Sequence, residues 1–279
     1  RLFEQVFNRF GLKTLWIDFT KSNFQEVILN HKPAMIWLES PTNPLLKIVD
    51  IESICNISNK MKIPVVVDNT FATPLLQKPL KYGATLSLTS TTKYINGHSD
   101  ALGGAVCTES TEWRDKLEFA QKALGLNPSP FDCWLITRGI KTLPMRLERQ
   151  VNNASKIANQ LADNPAIKNV RYPFRSDHPQ CKLAKRQMTM GGAIVTATID
   201  ATQAQTYSFC KSLNYFKMAE SLGGIESLVC HPATMTHASV PKETKLKIGI
   251  TDSLIRFSIG CEDIEDLNAD LNQALGTIF

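Results

Sequence analysis

The sequence predicts an α/β protein in which a mostly parallel sheet is followed by a smaller α+β unit. Short runs of β-branched residues at 33–39, 64–68 and 84–89 alternate with stretches whose apolar spacing fits one face of a helix. Strands that alternate with helices in this way are typical of a parallel sheet covered on both sides. Beyond residue 164 strands and helices are mixed, which predicts a second, smaller domain.

The predicted elements follow from the apolar patterns in chain order. We predict strands at 12–18, 33–39, 64–68, 84–89, 103–108, 167–172, 192–199, 226–230 and 253–259. An amphipathic helix is expected at 51–57, and further helices at 111–124, 131–163, 179–188, 201–213 and 262–275. These patterns predict a large domain at 1–150 and a small C-terminal domain at 151–279.

Composition and charge exclude several classes of protein. The chain has 279 residues, 43% of them hydrophobic and 20% charged, which is ordinary for a globular protein. Its formal net charge is only +5 and Lys and Arg form no dense block, so we expect no nucleic-acid partner. The apolar runs are far shorter than the ~20 residues that cross a bilayer, so we expect no membrane partner either.

The cysteines indicate the compartment and argue against a metal. All 7 cysteines lie at least 20 residues apart in sequence, and none belongs to a CxxC pair or a Cys/His ligand spacing. We therefore expect neither a structural metal nor a disulfide framework. Unpaired cysteines suit a reducing compartment, which predicts a cytoplasmic location.

Polar residues follow three neighbouring strands of the predicted sheet. Asp68 ends the strand at 64–68, a Ser-Pro-Thr-Asn turn with Asn43 follows 33–39, and Ser90, Thr92 and Lys93 follow 84–89. Because open α/β sheets bind ligands at the carboxyl ends of their strands, we expect these side chains to share one site.

This set of side chains is what a pyridoxal phosphate site requires. Lys93 can bond to the aldehyde, Asp68 can keep the pyridine nitrogen protonated, and Ser90 and Thr92 can donate to the phosphate. Each residue also has an ordinary explanation, since a strand-end Asp usually caps a turn and an isolated Lys is usually solvated. The order of acid, strand and lysine favours the cofactor site and leaves these explanations open.

Longer motifs resemble one family over essentially the whole chain. They include ESPTNPLLKIVDI at 39–51, STTKYINGHSDALGG at 90–104, AESLGGIESL at 219–228, HPATMTHASVPKE at 231–243 and DSLIRFSIGCEDIEDL at 252–267. These segments closely resemble the Cys/Met-metabolism, or trans-sulfuration, family of pyridoxal phosphate enzymes. The resemblance implies an aspartate-aminotransferase-like large domain of fold type I and pyridoxal 5'-phosphate as the cofactor.

The resemblance also implies roles for individual residues at the cofactor. Lys93 matches the family's Schiff-base lysine, and Asp68 matches the partner of the pyridinium nitrogen. Ser90 and Thr92 match the phosphate-binding hydroxyls, and Asn43 matches the amide near the phenolic oxygen.

Three further matches concern the substrate. Arg256 matches the arginine that binds the substrate α-carboxylate, for which a planar guanidinium is well shaped. Ser221 matches a residue that lines the carboxylate pocket. Glu220 stands where relatives that act on cystathionine often carry an acid, and we expect it to bind the far end of the substrate.

The family's activities define the expected function. The resemblance implies an enzyme that acts at Cγ of a sulfur amino acid, as cystathionine γ-lyase and cystathionine γ-synthase do. Cystathionine β-lyase, methionine γ-lyase and O-acyl-homoserine sulfhydrylase remain alternatives, as does a non-catalytic binding protein of this fold. Relatives carry a further N-terminal segment ahead of the matched region and assemble as homotetramers, so we expect a dimer of dimers and poor cofactor binding without that segment.

Overall fold

We describe residues 2–21 and 23–278 from a computed structural model, in which the strands form two sheets. The strands, in chain order, are β1 (Ile36–Glu39), β2 (Val65–Asp68), β3 (Leu86–Ser90), β4 (Gly104–Cys107), β5 (Ile167–Arg171), β6 (Ile194–Ile199), β7 (Lys217–Met218), β8 (Leu228–Cys230) and β9 (Leu254–Ser258). The first four strands form one sheet and the other five form the second.

Helices connect and cover these strands. They are α1 (Phe24–His31), α2 (Ile51–Lys60), α3 (Thr73–Leu76), α4 (Thr111–Leu124), α5 (Pro130–Ile140), α6 (Leu143–Asp163), α7 (Cys181–Gln187), α8 (Gln203–Ser212), α9 (Lys242–Ile248) and α10 (Ile264–Leu275). Short helical turns occur at Leu2–Val6, Phe7–Phe10, Pro79–Tyr82 and Thr91–Ile95. Within the described part of the chain, no helix is long and apolar enough to cross a membrane.

The first sheet brings the predicted polar strand ends together. Its order is β1-β2-β3-β4, with β1, β2 and β3 parallel and β4 antiparallel to β3. Glu39 is the register partner of Asp68, and Asp68 is the partner of Leu88, two residues before Ser90. The mostly parallel sheet of the sequence prediction is therefore confirmed, and its strand ends lie along one edge.

One face of this sheet is well covered. Val65 and Val67 of β2 pack with α2 and α1 in a buried cluster, because alternate residues of a strand point to the same side. The opposite face is also covered in part, since Val66 of β2 is buried and the ring of Phe3, from the turn at Leu2–Val6, contacts the ring of Trp37 edge-on at 5.6 Å, although Trp37 is 44% exposed. All four residues of β4 are exposed as well.

The second sheet is organised around one central strand. Its order is β5-β6-β9-β8-β7, and β9 pairs antiparallel with both β6 and β8. Every residue of β9 is buried. Arg256 lies in the middle of this strand, with Thr196 and Cys230 as its register partners. The larger core cluster packs α6 and α10 on this sheet and continues to residues that follow the strands of the first sheet.

Two predicted elements are wrong. The segment 12–18 has no regular structure: most of its apolar residues are exposed (Trp16 is 69% exposed), only Ile17 packs against the core, and its last residue, Asp18, pairs with Lys47 at 2.7 Å. The predicted helix 131–163 is two helices, α5 and α6, separated at 141–142. Pro144 explains the break, because proline fits the first turn of a helix and not its interior.

The other predicted strands and helices are confirmed, and the ends of most of them agree with the prediction to within two or three residues. Helices α1 and α9 and the two-residue strand β7 were not expected from the sequence. Residue 150 lies within α6. The division into domains at 1–150 and 151–279 stays a prediction.

Candidate active site

Asp68 and Ser90 are joined at the edge of the first sheet by Thr70. Asp68 Oδ1 accepts hydrogen bonds from the Thr70 backbone N–H at 3.0 Å and from the Thr70 hydroxyl at 2.6 Å. The Ser90 backbone N–H donates in turn to Thr70 Oγ1 at 2.9 Å. Buried Thr70 therefore fixes the Asp68 carboxylate and holds the end of β3 beside it.

Lys93 lies where the chain leaves β3 through a kinked turn. Its backbone is non-helical (φ −94°, ψ −128°), and its Nζ donates to the Ser221 hydroxyl at 3.0 Å. This contact depends on a close approach of the two segments, because a Cβ atom on Gly223 would lie 2.7 Å from the Tyr94 backbone N. Gly223 also has a φ of +77°, a conformation that glycine tolerates best.

Arg146, from α6, fixes the backbone that follows Lys93. Its buried guanidinium donates to the carbonyl oxygens of Tyr94 at 3.1 Å, Ile95 at 3.4 Å and Gly139 at 2.9 Å. These charge-assisted bonds satisfy two carbonyl groups of the kinked turn and one near the end of α5. The position of Lys93 is therefore held by the helix as well as by the strand.

Arg256 connects the second sheet with the end of β1 in the first. Its side chain is buried, with the residue 1% exposed. One terminal nitrogen donates to Asn43 Oδ1 at 3.0 Å. The other donates to the carbonyl oxygens of Glu220 and Ser221, both at 2.9 Å. Because Ser221 also accepts from Lys93, the predicted substrate and cofactor residues form one connected network.

A cavity of about 890 Å³ opens beside this network. Among the residues that line it are Thr92, Lys93, Glu220 and Ser221. This volume lies in the ~300–1,000 Å³ range of small-molecule sites. Glu220 is exposed, so its carboxylate is available to a ligand in the cavity.

Burial and neighbouring charges shift pKa values at the site. Burial and the nearby positive charge of Arg256 lower the pKa of Lys93, which favours the neutral, nucleophilic amine. Burial, with the negative charge of Asp68, raises the pKa of Glu39 to about 8 against the opposing effects of the Asn43 N–H and Arg256.

The donor set fits pyridoxal phosphate. The strand ends present an amine for its aldehyde, a carboxylate for its ring nitrogen and hydroxyls for its phosphate, next to a cavity of sufficient size. The Thr92 hydroxyl already accepts from the Gly103 N–H at 3.0 Å, which orients it beside Lys93. No cluster of three or more metal-ligating side chains occurs within residues 2–21 and 23–278.

The structure places all eight predicted site residues in one region, and their roles there stay predictions. Lys93, Ser221, Arg256 and Asn43 are linked by hydrogen bonds, and Glu220 joins them through its carbonyl oxygen. The other three predicted residues are Asp68, Ser90 and Thr92, which lie at the strand ends described above.

Sequence reasoning did not assign Thr70, Glu39 or Arg146. The first two could have been found from their position at the polar strand ends. Arg146 gave no signal, because its partners are backbone carbonyls about 50 residues earlier in the chain.

Comparisons with known proteins agree with this geometry. The family model for Cys/Met metabolism PLP-dependent enzymes matches residues 1–276. Cystathionine gamma-lyase of Macaca fascicularis is 46% identical over 276 residues, which cover 99% of this chain and 68% of the relative. Cystathionine beta-lyase of Coxiella burnetii (strain RSA 493 / Nine Mile phase I) is 44% identical over 277 residues, covering 99% and 72% of the two chains.

A solved structure shows the same architecture. Cystathionine gamma synthase from Xanthomonas oryzae pv. oryzae, in complex with cystathionine, has a TM-score of 0.94 and 42% identity, covering 97% of this chain and 70% of that one. The strand ends, the cavity and these matches lead to one conclusion: the chain belongs to the Cys/Met metabolism PLP-dependent enzyme family.

Proposed function

We propose that this enzyme catalyses a trans-sulfuration reaction at Cγ, as a cystathionine γ-lyase or a cystathionine γ-synthase. The observation that carries the proposal is that Lys93, Glu220 and Ser221 line one cavity, while Arg256 donates to the carbonyl oxygens of Glu220 and Ser221. A guanidinium bonded to this cavity wall suits an α-carboxylate, and the exposed carboxylate of Glu220 suits a second ammonium group. Cystathionine carries both of these groups.

Five residues would hold the cofactor in this proposal. Ser90 and Thr92 would donate to its phosphate, Asn43 would serve its phenolic oxygen, and Lys93 would bond to its aldehyde. Asp68, fixed by Thr70, holds a proton on the pyridine nitrogen. When bound, pyridoxal phosphate withdraws electrons from the Cα of the amino acid and so makes the α-proton acidic.

Lys93 and Arg256 carry out the remaining steps. Arg256 binds the α-carboxylate and thereby sets which Cα bond faces the Lys93 amine. Lys93, whose lowered pKa favours the neutral base, removes the proton from Cα and later one from Cβ. The substituent at Cγ then leaves with the bonding electrons: in the γ-lyase reaction it is the thiolate of cysteine, which takes up a proton, and in the γ-synthase reaction it is the carboxylate of the O-acylhomoserine. The γ-lyase reaction adds water and releases cysteine, ammonia and 2-oxobutanoate, whereas the γ-synthase joins cysteine to Cγ.

Ser221 holds the Lys93 amine in position for both proton transfers. Its hydroxyl accepts from Lys93 Nζ at 3.0 Å, and its carbonyl accepts from Arg256 at 2.9 Å. Ser221 therefore fixes the Lys93 amine relative to the Arg256 guanidinium, which binds the substrate α-carboxylate. Proton transfer is most efficient when the base lies within hydrogen-bond reach of its proton.

We also propose that the active assembly is a homotetramer, a dimer of dimers. Support comes from apolar side chains of α4 and α5, where Phe119, Leu124, Phe131 and Trp134 are all more than half exposed. None of the residues of α4 is buried. Closed symmetric assemblies of identical chains commonly cover exposed apolar side chains of this kind.

We propose a cytoplasmic location because the cysteine thiols are unpaired. All seven cysteines are free, which suits a reducing compartment. Recovery of the native protein from a secreted fraction would oppose this location.

The first prediction tests the function with a substrate panel on the full chain. We expect 2-oxobutanoate and cysteine from L-cystathionine, or cystathionine from an O-acylhomoserine plus cysteine, because both reactions act at Cγ. L-methionine is the matched control for a substrate without the second ammonium group, and it should turn over more slowly. Homocysteine and pyruvate from cystathionine would identify a β-lyase and contradict the proposal.

The second prediction concerns Glu220. Glu220→Val should lower the ratio of kcat/KM for cystathionine to that for methionine by about 10- to 100-fold. With cystathionine, the Glu220 carboxylate forms a charge-assisted hydrogen bond to the second ammonium group. With methionine, the same carboxylate loses solvation beside a methyl group and gains no partner. Asp132 lines the same cavity, so Asp132→Val is the matched control and should change the ratio by less than about threefold. A ratio equally unchanged in Glu220→Val would show that Glu220 does not select the substrate.

The third prediction concerns assembly. Analytical ultracentrifugation of the active protein should give the mass of four chains, and Phe119→Glu, on the exposed face of α4, should reduce that mass. Lys116→Glu on the same helix is the control, because Lys116 already pairs with Glu112 in solvent and should not take part in assembly. A parent protein that sediments as a monomer and still turns over substrate would contradict the proposed tetramer.

A further inference from the structure

Glu39 is a second carboxylic acid at the sheet edge that carries Asp68. The two residues are register partners at the ends of the parallel strands β1 and β2. Two ionised carboxylates at such close positions repel each other, and burial makes that repulsion stronger. Asp68 is the residue whose charge the cofactor requires, so Glu39 needs a different explanation.

The contacts of Glu39 lead towards the substrate arginine. Its Oε2 accepts a hydrogen bond from the Asn43 backbone N–H at 3.0 Å, which closes the turn after β1. The side chain of the same Asn43 accepts from Arg256 Nη1 at 3.0 Å. Glu39 is therefore separated from the Arg256 guanidinium by a single residue, whose backbone it holds.

The surroundings of Glu39 favour its uncharged form. The groups that face it are Asp68 from β2, the Asn43 N–H from the turn and Arg256 from β9. Burial is the largest effect and, with Asp68, outweighs the other two, so the pKa lies at about 8. An uncharged carboxyl group still accepts the Asn43 hydrogen bond.

We propose that Glu39 is a positioning residue, an uncharged acid that holds the Asn43 turn and thereby orients Arg256 for the substrate carboxylate. In this form it adds no negative charge beside Asp68 and offers Arg256 no competing anion. The substrate carboxylate then meets a guanidinium that is oriented and not neutralised. This inference rests on the proposed role of Arg256 in substrate binding.

The test compares two substitutions at Glu39. Glu39→Gln keeps an oxygen acceptor for the Asn43 N–H and cannot ionise, whereas Glu39→Leu removes the acceptor. We expect Glu39→Leu to raise KM for the amino-acid substrate about tenfold while kcat changes by less than about threefold. Glu39→Gln should keep KM within about twofold of the parent at neutral pH.

The pH profile separates this role from simple packing. As pH rises through about 8, Glu39 of the parent becomes an anion beside Arg256. KM of the parent should therefore rise on the alkaline side, and KM of Glu39→Gln should rise less, because glutamine has no proton to lose. Equal alkaline rises in the two proteins would overturn the proposal.

Thermal unfolding of the protein without cofactor gives a readout independent of activity. The pKa of Glu39 is raised from 4.5 to about 8 in the folded state, so the folded chain keeps a proton that the unfolded chain releases. Between these two values, stability of the parent must fall as pH rises, by linkage. Tm of the parent should therefore drop relative to Glu39→Gln from about pH 5 to pH 8. A constant difference in Tm over this range would contradict an uncharged Glu39.

Two controls make the outcomes distinguishable. Asp270 is a buried carboxylate that accepts from the backbone N–H groups of Asn214, Tyr215 and Phe216, far along the chain from this turn, so Asp270→Leu should lower Tm and leave KM unchanged. Arg256→Lys should raise KM if Arg256 binds the carboxylate. A raised KM in Arg256→Lys with an unchanged KM in Glu39→Leu would refute the role of Glu39 alone, whereas an unchanged KM in Arg256→Lys would refute the proposed role of Arg256 itself.

Discussion

The buried guanidinium of Arg256 is the interaction on which the site depends. It originates in the central strand of the second sheet and donates to Asn43 beyond the first sheet and to two carbonyls of the 220–221 segment. A buried cation is costly unless its hydrogen bonds are made, and bonds to charged groups contribute about 1.5–3 kcal/mol each. Asn43 and the 220–221 segment must therefore both be correctly placed around Arg256, since a displacement of either would leave one of its terminal nitrogens without a partner.

The close approach of two backbone segments also fixes the position of Lys93, the proposed base. Segment 221–224 can reach Arg256 and Lys93 at the same time because Gly223 leaves room for the Tyr94 backbone. On the far side of the turn, Arg146 occupies the space that a side chain at Gly97 would fill. Two arginines thus act on the surroundings of Lys93: Arg146 holds the backbone that follows it, and Arg256 is linked to its hydrogen-bond partner Ser221 and, after burial, lowers its pKa. The result is a preorganised base with little freedom to move away from the substrate.

The sequence predicts the polar strand ends well because each of them directly follows a short apolar run that can be recognised locally. Asp68 and Ser90 each follow a short apolar run, so their shared edge follows once the strands are recognised. The strand at 12–18 was wrong for a related reason: its apolar residues match a strand pattern, but no neighbouring strand pairs with them among the described residues. A periodic pattern predicts an element only when there is a surface on which to bury it.

The contacts between distant segments could not be predicted in this way. Arg256 and Asn43 are 213 residues apart, and Lys93 and Ser221 are 128 apart, so neither pair leaves a local signal. The resemblance to a known family supplied those residues, but it did not supply the role of Glu39, whose protonation depends on how deeply two strand ends are buried together. Residues that act on the backbone, such as Arg146, are equally invisible in a pattern of side-chain types.

The most direct test of this account is exchange of the substrate α-proton, because we propose that Lys93 removes this proton in each of the activities considered. The α-proton of L-cystathionine can be followed by NMR in deuterated buffer with the parent protein and with Lys93→Ala, each saturated with pyridoxal phosphate. We expect exchange in the parent and less than about 1% of that rate in Lys93→Ala, since a positioned base commonly contributes 10²–10⁴-fold. Exchange by Lys93→Ala at a rate close to that of the parent would show that another group removes the proton and would contradict the account.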